Sequence, residues 1–89
     1  MNINYSIAKC KTKAAFSAKL KQKAKLDLTK IKNKFELILE TPILVVIKVR
    51  GIEIIVHSHG ELLFKTGNDL SILEEIAQEI YEIGLKNNN

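Results

Sequence analysis

The sequence predicts one α+β domain: a curved antiparallel β-sheet of about five strands with two helices packed on one face, in the order strand, helix, strands, helix. Three observations carry this expectation. Residues 8–26 alternate with a period of two, β-branched runs between Ile43 and Thr66 are separated by glycine-bearing turns, and an apolar stripe at helical spacing closes the chain. With 89 residues there is room for one modest core, and 46% hydrophobic against 27% charged residues is a globular composition. The domain is expected to span 1–89, with 1–6 and 86–89 frayed.

In the first segment Ala8, Cys10, Ala14, Phe16, Ala18, Leu20, Ala24 and Leu26 are small or apolar. The odd positions Lys9, Lys11, Lys13, Lys19, Lys21, Lys23 and Lys25 are lysine. A strand sorts these onto two faces, whereas a helix, which Ala, Lys and Leu also favour, leaves no coherent apolar stripe. Asp27 is placed to cap a short helix over residues 28–35, with Leu28, Ile31 and Phe35 on one face. Residues 36–39 form a short strand that Thr41-Pro42 ends. Residues 43–49, 52–57 and 61–66 follow as a meander, turning at Arg50-Gly51 and His59-Gly60. Ser71 with Glu74 matches a capping box for the last helix, with Asp69 as the alternative cap. Ile72, Leu73, Ile76, Ile80 and Ile83 form its apolar face, its glutamates lie opposite, and Gly84 is a C-terminal stop.

The longest apolar run, residues 43–47, is far too short for a membrane span, and no secretory signal opens the chain, so a cytoplasmic location is expected. Cys10 is the only cysteine, which excludes an internal disulfide and a multi-cysteine zinc site in one chain. Charge is distributed unevenly. Up to Lys34 there are ten lysines and one acid, while the remainder has four basic residues against nine acids. Such asymmetry marks a surface for polyanions, or a basic face meeting an acidic partner.

The stretch Leu26-Asp27-Leu28-Thr29-Lys30-Ile31, the strand before it, the apolar strand pair, Val56-His57-Ser58-His59-Gly60, Thr66-Gly67 and the acidic-faced closing helix together resemble one repeat of the TATA-box-binding protein family. In that family two tandem repeats form a saddle whose concave sheet face lies on the DNA minor groove. The resemblance implies that this single repeat builds a saddle as a homodimer, its first strands meeting near the twofold axis. The unpaired edge of a long strand points the same way. Lys9, Lys11, Lys13, Lys19, Lys21, Lys23 and Lys25, with His57, would then contact DNA or RNA phosphates without sequence preference. The family's phenylalanine wedges correspond here to Pro42 and His57, and its first-strand asparagine falls near Ala15. Kinking of a TATA element is therefore not implied. Related single domains on ribonucleases H and DNA glycosylases offer the model of a non-catalytic grip.

No Gly-rich phosphate loop, Ser/His/Asp set or convergent carboxylate pair is present, so no catalysis, cofactor or metal is expected. His57 and His59 lie on one strand end but lack further ligands, and Cys10 reads as a packing residue. The competing expectation is a protein-interaction or scaffolding module that uses the sheet face or the acidic helix surface.

Overall fold

The computed structural model describes residues 5–9, 16–21, 24–66 and 69–85. Its elements run β1 (Tyr5–Lys9), β2 (Phe16–Leu20), α1 (Leu28–Lys34), β3 (Glu36–Glu40), β4 (Leu44–Val49), β5 (Ile52–His57), β6 (Glu61–Phe64) and α2 (Leu70–Leu85). The fold is α+β, with a six-stranded antiparallel open sheet in the spatial order β1-β2-β6-β5-β4-β3.

The expected long first strand is instead a hairpin. β1 runs antiparallel to β2, from Tyr5 opposite Leu20 to Lys9 opposite Phe16, which adds a strand to the expected five. Tyr5 and Ser6, expected to fray, are paired within it. The edge of β2 that was to meet a second copy is therefore occupied by the chain's own β1. Residues 10–15 join the two strands, so Cys10, Lys11, Lys13 and Ala15 lie outside the described residues, as do Lys23 and 86–89.

The β4–β5–β6 meander follows the sequence closely. Arg50 and Gly51, with φ of 53° and 82°, both lie in the left-handed region that a two-residue hairpin turn uses to match strand twist. At the next hairpin Gly60 has φ of 110°, and a Cβ there would lie 2.7 Å from Leu20 Cδ1. Only glycine meets both constraints without strain.

Asp27 caps α1 as expected, its carboxylate accepting from the Thr29 and Lys30 amides at 3.0 and 3.3 Å. For α2 the alternative cap holds. Asp69 Oδ1 accepts from the Ser71 amide at 3.0 Å, and Ser71 sits inside the helix. Gly84 is likewise within α2 and does not end it. A Cβ there would come within 2.8 Å of Ile31 Cδ1 and 3.0 Å of Leu26 Cδ2, so the glycine lets α2 approach the start of α1. The Asp27 amide donates to the Gly84 carbonyl at 2.9 Å across that contact.

Both helices cover one face of the sheet. Leu26 and Ile31 pack with Leu73, Ile76, Ala77, Ile80 and Tyr81 against Ala18, Val45, Ile47, Ile54, Val56, Leu62 and Phe64. Removing these side chains from water is the main driving force for the fold. Ile72, expected on this face, is exposed, while Tyr81 is fully buried.

Candidate functional site

Among the described residues no helix covers the sheet's other face, and its composition follows from register, because directly opposed residues in antiparallel strands share a face. One cross-strand row runs through all six strands: Ala8, Ser17, Leu63, Ile55, Val46 and Leu39. Its last four members make an apolar stripe over β6, β5, β4 and β3. Val46, shielded by its neighbours, is 9% exposed, whereas Leu39 at the sheet edge is 53% exposed.

Charged rows flank the stripe. On one side Glu36 lies opposite Lys48 and Lys48 opposite Glu53. Lys65 continues the row, its amide donating to the Glu53 carbonyl at 3.0 Å and its ammonium lying 3.3 Å from the Glu53 carboxylate. From β6 to β3 the row therefore alternates Lys65, Glu53, Lys48, Glu36. On the other side Ser6 lies opposite Lys19, Lys19 opposite Glu61, and His57 opposite Leu44. Lys19 Nζ is 4.0 Å from Glu61, and His59 Nε2 is 3.5 Å from the same carboxylate.

This arrangement corrects the expected lysine face. Each β1–β2 pair joins an odd-numbered residue to an even-numbered one, so the hairpin exchanges the two parities. Lys9 lies opposite Phe16, on the helix-bearing side, while Lys19 lies on the open side. Lys21 and Lys25 are exposed but lie outside the strands, and Lys25 is followed by the Leu26 amide donating to the Ser58 carbonyl at 2.8 Å. Lys11, Lys13 and Lys23 are outside the described residues. His57 is on the open face with its ring centroid 5.0 Å from that of His59. Among the described residues no group of three possible metal ligands occurs, and no helix is long and apolar enough to cross a membrane.

Two further features lie outside this surface, one at its edge and one across the molecule. β3 is an edge strand with every residue exposed, a bulge between Leu37 and Leu39, and Ile43 65% exposed just beyond it. On the opposite side of the molecule Tyr5, Arg50, Ser71, Glu74, Glu75, and Gln78 line a shallow, acidic depression along α2. Arg50 pairs there with Glu75 at 3.0 Å.

The stripe had a signal in the sequence. Val45-Val46-Ile47, Ile54-Ile55-Val56 and Leu62-Leu63-Phe64 are apolar at consecutive positions, a pattern proper to strands covered on both faces. Two helices cover only one face. Comparison with protein-family models, curated proteins and solved structures finds no match to this chain.

Proposed function

We propose that this protein is a non-enzymatic interaction module whose open sheet face binds a protein surface. The observation that carries this reading is the Leu63-Ile55-Val46-Leu39 stripe, apolar across four adjacent strands and rimmed by charges that already face opposite charges. A desolvated apolar centre inside a polar rim is the anatomy of a protein–protein contact, whereas phosphate binding needs cations left available to the ligand. The order strand, helix, four strands, helix from β2 onward supports a half-saddle like that of the TATA-box-binding protein repeat, with the sheet face as its working surface.

A photoreactive side chain placed at Ile55 tests the reading in living cells. Covalent protein adducts at Ile55, absent when the same group replaces Lys25, are expected. Adducts to nucleic acid alone, or none, overturn it.

A second reading keeps the expected nucleic-acid grip, with Lys9, Lys19, Lys21 and Lys25 exposed and the first 34 residues strongly basic. It requires log affinity for DNA or RNA to fall linearly with log salt. Replacement of Lys19, Lys21 and Lys25 by glutamine must flatten that slope.

A further inference from the structure

The row Lys65, Glu53, Lys48, Glu36 reverses sign when read backwards. Its members lie just past the end of β6 and on β5, β4 and β3 in spatial order, so its midpoint falls between β5 and β4. A twofold axis lying over that midpoint, close to parallel with the strands, would bring a second open face onto the first. It would map β6 over β3 and β5 over β4. Lys65 would then face Glu36 of the second copy, and Glu53 would face Lys48 of the second copy. Each contact occurs twice.

The apolar row obeys the same operation. Leu63 would lie over Leu39 of the second copy and Ile55 over Val46 of the second copy, so the stripe meets itself. A twofold contact must be self-complementary in this way, and a row of one charge sign would forbid it. Face-to-face packing of twisted sheets with strands within about 30° of each other is a common way to bury such faces. It would also give β4, β5 and β6 the second cover that their apolar runs call for.

Resting on the reading of the open face as an interaction surface, we infer that its occupant is a second copy of this chain, held face to face in a β-sandwich with the alternating charge row fixing its orientation. This interface differs from a saddle closed at the first strands, because it uses the open faces of β6, β5, β4 and β3 and leaves β1 and β2 outside it.

Charge reversal tests the proposal directly. Glu36→Lys with Glu53→Lys makes the row uniformly positive, and Lys48→Glu with Lys65→Glu makes it uniformly negative. Analytical ultracentrifugation from about 10 µM to about 1 mM spans the range in which a modest interface dissociates. The unaltered chain should approach twice its 10.1 kDa mass with rising concentration. Each double variant alone should stay at the single-chain mass, and an equimolar mixture of the two should regain the doubled mass.

Circular dichroism establishes that each variant is folded. Where a double variant is not, Glu53→Lys and Lys48→Glu as single changes give the same design with less internal repulsion. A monomeric unaltered chain, or a dimer that both variants retain, overturns the proposal. So does a mixture that stays monomeric although each folded variant has lost the dimer. These failures are distinct from failure of the broader reading, because crosslinking at Ile55 would then still yield adducts, but only to other proteins.

Discussion

The Tyr81 hydroxyl donates to the Gly60 carbonyl at 2.8 Å, a buried hydrogen bond that ties the middle of α2 to the β5–β6 hairpin. The Tyr81 ring lies 5.1 Å from that of Tyr5 on β1, so one side chain joins the helix to both ends of the sheet's first half. Tyr5 in turn donates to the Glu74 carbonyl at 3.3 Å.

Tyr81→Phe keeps the ring and removes the donor, leaving the Gly60 carbonyl without it. A loss of about 1–2 kcal/mol in unfolding free energy is expected, read by urea denaturation at neutral pH. An unchanged midpoint would show that water replaces the hydroxyl at no cost.

The same residue sets an alkaline limit. Burial foremost, then Tyr5 and Glu61, raises the Tyr81 pKa well above its ordinary 10.0. Burial, with help from Glu74, also raises that of Tyr5. Above pH 10 the unfolded chain releases these protons while the folded chain retains them, so the folded state loses stability as pH rises. Stability should be flat just below pH 10 and fall above it, with a shallower fall in Tyr81→Phe.

Gly84→Ala sets helix propensity against packing. Alanine gains about 1 kcal/mol in a helix interior, yet its methyl would press on buried Ile31 and Leu26. Net destabilisation of about 1 kcal/mol is expected from overpacking. Ile31→Val removes the nearest atom, so the double variant should be more stable than the sum of the single effects predicts. Chemical denaturation of the four chains completes the cycle.

Asp27→Ala removes the acceptor for two amides at the start of α1 and should cost about 0.5–2 kcal/mol. Asp27→Asn, which keeps a capping oxygen, should recover most of it. Equal losses in both variants would assign the effect to charge, not to the cap.

The elements after Leu26 were readable because each signal there is local. A carboxylate before Leu28 finds amides two and three residues away, and Arg50-Gly51 supplies its own turn geometry. The helix of 70–85 was readable from its stripe, although the choice between Asp69 and Ser71 as its cap turned on a single hydrogen bond. Gly84 was misread because the reason for a glycine there is the approach of Ile31, 53 residues earlier in the chain.

Local signals were enough for the α+β class, the meander and both helices, since propensity, turn chemistry and periodicity act over a few residues. Only the tertiary structure settled that Tyr5–Lys9 pairs antiparallel with Phe16–Leu20, and hence which of the described lysines share a face. Alternation fixes two faces within one strand, but a reversal of chain direction pairs odd with even positions, and only the register says which face is which. The alternation of charge from Lys65 to Glu36 is likewise a product of that pairing, because its four residues meet only when β3, β4, β5 and β6 lie side by side.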